Sequence, residues 1–491
     1  MFESAEIPHK IPADQYKAEV PELREALLDC QLEMMEQKKF STIILINGME
    51  MAGKGDTVNR LLEWLDPRLV RAYAFDVATE EEERFPPPWR YWRVMPPRGR
   101  MAIYFRSWYT EPFKRYLRGE FGWAELDQAV EEIVLTERML AQEGVVILKF
   151  WLHLTKEQQK RAIKRTEADP RNSWRVTDED RESYKMYAKV REMAQHALRI
   201  TDRAEAPWQV IPAADHRYRD LAVGRTVLTA IRQRLTEPPP VMPPPATRPI
   251  EPIDGRRLLD DIDLSKTIDR GDYSKRLQEL QARLNGLSRD PKFRQRGAVI
   301  VFEGSDAGGK GGAIRRMTRV LDARYYRVAQ IAAPNEEELR RPYLWRFWRR
   351  VPARGMIRIF DRSWYGRVLV ERIEGFAAEA DWLRAYSEIN QFEGQLARHG
   401  IVVIKFWLAI SKDEQEQRFK AREETGYKRH KLTDEDWRNR EKWDDYILAA
   451  SEMIERTTTR HGPWTIVEAE DKRYARVKVL ETVCDRIESA L

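Results

Sequence analysis

The stretch AVIVFEGSDAGGKGG, residues Ala298–Gly312, decides the fold. Its first seven residues form an apolar run suited to a fully buried strand, and the helical pattern GGAIRRMTRVL takes over at Gly311. Between them, Gly304 to Lys310 satisfies the spacing G-x-x-x-x-G-K, in the strand-then-helix setting that this phosphate-cradling loop requires. Glycines at Gly304, Gly308, Gly309 and Gly311 let the backbone approach a phosphate closely, while Lys310 supplies a cation.

Working outward, further strands are predicted at YRVAQIA (Tyr326–Ala332), MIRIFD (Met356–Asp361), GIVVIKFWL (Gly400–Leu408) and PWTIVEA (Pro463–Ala469), separated by helical stretches. Continuous apolar strands alternating with helices imply a parallel sheet covered on both faces, an α/β domain. The same landmarks recur at a constant offset of 256: Gly48 with Gly304, Lys149 with Lys405, Asp180 with Asp436, Trp208 with Trp464, Tyr218 with Tyr474. Such a period marks one duplicated domain rather than a solenoid. The expected division is 1–235, a linker at 236–253, and 254–491. The linker reading rests on TEPPPVMPPPATRPIEPI, whose prolines favour an extended, semi-rigid chain.

Composition limits the alternatives. Charged residues make up 34% of the 491 and hydrophobic ones 42%, a globular balance. No apolar run is long enough to span a bilayer, and MFESAEIPHKIPADQYKAEV has neither a signal core nor the look of a transit peptide. With only Cys30 and Cys484, a disulfide framework is absent and a cytoplasmic location is expected. The net charge of +6 is modest, but basic residues cluster at Arg340–Arg358 and Arg418–Lys431, pointing to a polyanionic partner.

Gly311 follows Lys310 where a Ser or Thr would ordinarily ligate Mg²⁺. Two carboxylates are available instead: Asp306 in the loop, and Asp361 at the end of a predicted strand, where open α/β sheets bind their ligands. Arg362 stands ready to clamp a phosphate. After the KFWL strand, EQEQRFKAREETGYKRHKLTDEDW reads as a basic lid in which Arg418 and Arg422 share one helix face and Lys428 and Lys431 follow. RRPYLWRFWRRVPARG interleaves arginines with aromatics; Trp345, Phe347 and Trp348 are expected to pack inward, leaving Arg346, Arg349, Arg350 and Arg354 as a trough for a phosphate chain.

Taken together, FEGSDAGGKGG, YLWRFWRR, FDRSWY and the lid with TDEDW resemble the type-2 polyphosphate kinase family, whose members move phosphate between inorganic polyphosphate and a nucleotide. The resemblance covers nearly all of each half. It implies tandem P-loop kinase-like domains with a helical lid, metal ligation by Asp306 and Asp361, Mg²⁺ as cofactor, and phosphate contacts from Lys310, Arg362, Arg418, Arg422, Lys428 and Lys431. His430 and Gly426 depart from the family's usual Trp and Pro. A fused pair is similar to the subgroup that phosphorylates AMP to ADP; residue physics alone does not separate AMP from ADP as acceptor. The competing readings are a polyphosphate-dependent ADP or GDP kinase, an ATP-dependent nucleotide kinase, and a non-catalytic polyphosphate- or RNA-binding protein. A homo-oligomer is compatible with the sequence, a membrane partner is not expected, and nucleic acid is disfavoured.

The first copy keeps Lys54 and Arg106 but has Phe105 in place of Asp361 and Glu50 in place of Asp306. Ala162, Thr166 and Asn172 stand at the positions of Arg418, Arg422 and Lys428. The expectation is a lid stripped of charge over a site without transfer chemistry.

Overall fold

The computed structural model describes residues 1–237, 257–424 and 434–491, excepting the side chains of 434–436. Most of the proline-rich stretch, and Gly426, Lys428, His430 and Lys431, lie outside the described residues.

Among the described residues, ten strands form two sheets. The first is built from β1 (Ser41–Gly48), β2 (Val70–Ala74), β3 (Met101–Phe105), β4 (Val145–His153) and β5 (Trp208–Pro212); the second from β6 (Gly297–Gly304), β7 (Tyr326–Gln330), β8 (Ile357–Asp361), β9 (Ile401–Ala409) and β10 (Trp464–Glu468). Every pairing is parallel, in the orders β2-β3-β1-β4-β5 and β7-β8-β6-β9-β10. Each of the five strands expected in the second half is present, with ends shifted by one or two residues. Residues of β6 such as Val299, Ile300 and Val301 are fully buried, as an all-apolar central strand requires. Trp345, Phe347 and Trp348 are buried, as the pattern predicted. Cys30 and Cys484 are buried free thiols.

The strand order sets the site. The chain leaves β6, skips one strand position to form β7, returns to pair β8 against β6, then crosses to β9 on the other side. The crevice at the carboxyl ends, where direction reverses, is where such sheets bind ligands. Register places Asp361 opposite Phe302, one residue before Glu303 and two before Gly304.

A buried lysine braces each sheet from behind. Lys405 Nζ donates to Glu393 Oε2 at 2.8 Å, Tyr365 Oη at 2.8 Å and Thr457 O at 2.7 Å, joining three elements around β9. Lys149 repeats this with Glu137, Tyr109 and Thr201. Burial lowers both lysines below their ordinary range, and the neighbouring carboxylates oppose that shift. A charge buried without such partners would be prohibitively costly, so these networks have a structural role.

The compact units cut the chain differently from the repeat boundary. Among the described residues, one comprises 1–78, 91–237 and 334–345; the other comprises 79–90, 257–333, 346–424 and 434–491. Within the first unit, the Arg98 N–H donates to Arg340 O at 2.8 Å and Arg340 Nη2 donates back to Arg98 O at 2.9 Å. Within the second, the Arg354 N–H donates to Arg84 O at 2.8 Å. Each unit thus includes the short stretch that follows the second strand of the other repeat. Among the described residues, no helix is long and apolar enough to cross a membrane.

Candidate functional site

The loop after β6 is shaped by two glycines. Gly304 has φ +135°, and a Cβ there would sit 2.4 Å from Leu408 O; Gly309, with φ +107°, caps the helix Lys310–Thr318. Lys310 Nζ curls back to Gly304 O at 2.6 Å and Ser305 O at 3.3 Å, holding its ammonium over the loop. Among the described residues it makes no ion pair.

Asp306 faces three cationic or amide groups. Arg362 Nη2 lies 2.9 Å from Oδ1, Asn439 Nδ2 donates to Oδ2 at 2.9 Å, and Gln415 Nε2 donates to the main-chain O at 3.2 Å. Burial pushes its carboxyl up, but Lys310 and Arg362 outweigh that and hold it below the usual carboxylate range. Arg362 adopts φ +62°, a left-handed conformation unusual for a non-glycine residue and costing about 1–3 kcal/mol. Asp361 is half-buried at the end of β8; its main-chain O accepts from the Ile331 N–H at 3.1 Å, and its carboxylate has no hydrogen-bond or ion-pair partner among the described residues. An uncommitted carboxylate at the mouth of a phosphate loop is suited to metal ligation.

A third carboxylate was not anticipated. Glu303 is buried beneath the loop and accepts a hydrogen bond from Ser363 Oγ at 2.7 Å. Burial raises its carboxyl; Ser363, Lys310 and Arg362 oppose the rise, and Asp361 adds to it. The signal was in the repeat, because the 256 offset pairs Glu303 with Asn47 just as it pairs Asp361 with Phe105. Asn439, one helix beyond the lid, gave no signal.

A cavity of about 450 Å³ opens over the loop, lined by Gly308, Gly309 and the cations Arg315, Arg422, Lys472 and Arg476. The structure thus brings Arg422 to the loop, together with three basic residues that sequence spacing did not single out. Arg418 also reaches this cavity but is not free to act as a lid cation. Its guanidinium is buried and pairs with Glu414 while donating to Ala307 O at 2.9 Å, Ala469 O at 2.6 Å and Glu470 O at 3.0 Å. It braces the loop against the end of the sheet. Arg346, expected in an open trough, is buried and donates to Ala332 O at 2.9 Å. Arg349 is exposed and Arg350 and Arg354 are half-buried, and none of the three lines the cavity.

The first copy keeps the loop's backbone but only one of its three acids, as Glu50 at the place of Asp306. Lys54 Nζ lies 3.1 Å from Gly48 O, as Lys310 does in its own loop, but it also pairs with Glu50 at 2.8 Å. Asn47 stands for Glu303 and Phe105 for Asp361. Its lid is not stripped of charge. Arg161 and Arg165, one position earlier in register than Arg418 and Arg422, line the cavity above this loop. A comparison restricted to aligned positions misses a shift of one residue along a helix.

The model of the polyphosphate kinase 2 family, PPK2, matches residues 10–239 and again 267–491. A polyphosphate:AMP phosphotransferase of Pseudomonas aeruginosa is 52% identical over 491 residues, covering 100% of this chain and 99% of the relative. One from Acinetobacter johnsonii is 38% identical, covering 94% and 95%. A crystal structure from Pseudomonas aeruginosa, described there as a putative polyphosphate kinase 2, superimposes with a TM-score of 0.90 at 51% identity, over 100% of this chain and 99% of that one. With both sheets, both loops and both family matches in register, the chain belongs to the polyphosphate kinase 2 family.

Proposed function

We propose that the chain transfers the terminal phosphoryl group of inorganic polyphosphate to AMP, giving ADP, and that transfer takes place in the copy spanning 254–491. The observation that carries this reading is the cluster of Asp306, Lys310 and Arg362 with the uncommitted Asp361 at the same loop. The 1–235 copy lacks the two carboxylates Asp361 and Glu303. The relatives that span the full two-copy chain carry the name polyphosphate:AMP phosphotransferase, whereas a Rhizobium meliloti relative matched over 44% of this chain is an ADP-polyphosphate phosphotransferase.

In the transfer, an oxygen of the AMP phosphate bonds to the terminal phosphorus as the bridging P–O bond breaks. The shortened polyphosphate leaves as an anion. The acceptor oxygen is already ionised, so no general base is required. Loop N–H groups and Lys310 hold the transferring group, and Arg362 supports charge that builds on it in flight. Arg315, Arg422, Lys472 and Arg476 offer a cationic bed for the rest of the donor chain.

Asp306 and Asp361 suit Mg²⁺, a hard ion that takes one or two carboxylates and completes its shell with substrate phosphate and water. Among the described residues no cluster of three or more His, Cys, Asp or Glu is poised for a metal, which fits an ion that shares its shell with phosphate. Bound there, Mg²⁺ would neutralise phosphate charge. Two buried thiols fit a reducing, cytoplasmic setting.

Turnover with polyphosphate or ATP as sole donor, against AMP, ADP, GMP and GDP, with and without Mg²⁺, tests the reading. ADP formed from polyphosphate and AMP is expected. A preference for ATP as donor, or for a diphosphate as acceptor, would overturn it.

A further inference from the structure

The first copy lacks counterparts of the carboxylates Glu303 and Asp361, yet it carries a cavity of about 1020 Å³ at its loop. Six lysines and arginines line it against three carboxylates. Lys54 and Arg175 are neutralised by Glu50 and Asp56, and Arg219 by Asp220 behind the wall. Lys10, Arg161 and Arg165 have no ion-pair partner among the described residues. Arg161 and Arg165 lie one turn apart on the helix Lys156–Glu167, roughly 5–6 Å between Cβ atoms, on one face. At their positions the second copy has Gln417 and Ala421. Arg161 and Arg165 thus stand at positions where the second copy has no cation, its own Arg418 and Arg422 lying one residue further along the helix.

We propose that this cavity is a binding site for a phosphate chain that holds the chain without transferring from it. Phe105 occupies the place of a metal-ligating carboxylate, and a phenyl ring cannot ligate a metal. The remaining requirements of polyanion binding are met: loop N–H groups at Gly53–Gly55 and uncompensated cations spread along the wall. The ligand class is a linear run of phosphates. Inorganic polyphosphate is the favoured source, because the cations extend from the N-terminal segment at Lys10 to the helix at Arg165 rather than meeting at one point. The inference goes beyond the transfer reaction and does not depend on which acceptor is used.

Calorimetric titration of the full-length protein with inorganic tripolyphosphate, at low salt and without nucleotide, tests it. Binding at both loops is expected. Arg161→Ser with Arg165→Ser should remove one of the two binding events, and Lys10→Ser alone should weaken the same one. All three side chains are exposed and have no ion-pair partner among the described residues, so unchanged thermal unfolding is expected and controls for misfolding. Arg422→Ser should weaken only the other event. A single binding event in the parent protein, or two intact events in the Arg161/Arg165 variant, overturns the proposal. ATP binding the first-copy site more tightly than tripolyphosphate would assign the cavity to nucleotides and overturn the inorganic source.

Discussion

Arg362 points its guanidinium at Asp306, 2.9 Å away, whereas its counterpart Arg106 turns to Asp76 and Glu179 at 2.6 and 3.2 Å. Both have the same left-handed backbone, with φ +62° and +57°, so a substitution imposes the same strain at each. Arg362→Gln is expected to lower turnover by about 10²–10³, the scale of one lost transition-state donor. Arg106→Gln should leave turnover within a few-fold. Steady-state rates of the two variants decide the matter, and equal losses would show that both copies contribute chemistry.

Asp361→Asn removes a charge without changing volume at a half-buried position where the carboxylate has no partner among the described residues. Turnover should fall by roughly 10²–10³ while the unfolding temperature stays unchanged. A variant retaining half of the parent rate would remove Asp361 from the reaction.

Glu303→Gln separates stability from chemistry. Burial raises this carboxyl above its ordinary value, so the folded state favours the neutral acid. The stability it contributes is full at low pH and is lost as pH rises through the folded value. The neutral amide avoids that loss and can still accept from Ser363. At pH 7.5 the variant should therefore unfold no lower than the parent. Turnover should nonetheless fall by about tenfold or more, and more metal should be needed for half-maximal rate, because an acidic neighbour of Asp361 has been neutralised. Full turnover at unaltered metal demand would make Glu303 a purely structural residue.

Donor affinity should weaken steeply with salt, as counterion release dictates for a charged polymer, while affinity for AMP responds less. Arg349→Gln with Arg350→Gln tests whether the arginine-rich stretch takes part. A flatter salt dependence for polyphosphate is expected if the donor runs over it. An unaltered slope would confine the donor to the cavity of Arg315, Arg422, Lys472 and Arg476.

The parts of the fold that were legible in the sequence were those written as period and spacing. Apolar runs such as Ala298–Phe302 read as central strands, and G-x-x-x-x-G-K between a strand and a helix reads as a phosphate loop. What spacing does not encode is commitment. Arg418 and Arg422 look alike as i, i+4 cations, yet one is consumed by three main-chain carbonyls and the other borders the cavity. Arg315 and Arg476 lie 161 residues apart in sequence and reach one cavity because the two helices that carry them pack together. The pairing of Arg98 with Arg340, made through the main-chain O of each, has no counterpart in residue spacing.

That pairing has a consequence for how the protein is made. The unit containing the first phosphate loop needs residues 334–345, which a ribosome produces about a hundred residues after finishing the helix that ends at Thr236. At roughly 5–20 residues per second the nascent first unit stays unfinished for about 5–20 s. A gene split at the proline-rich stretch would yield two polypeptides, each missing one short segment of its own unit. Turnover should then return only when both are synthesised together, and a C-terminal product fully active alone would show that Thr79–Arg90 is dispensable to the unit it completes.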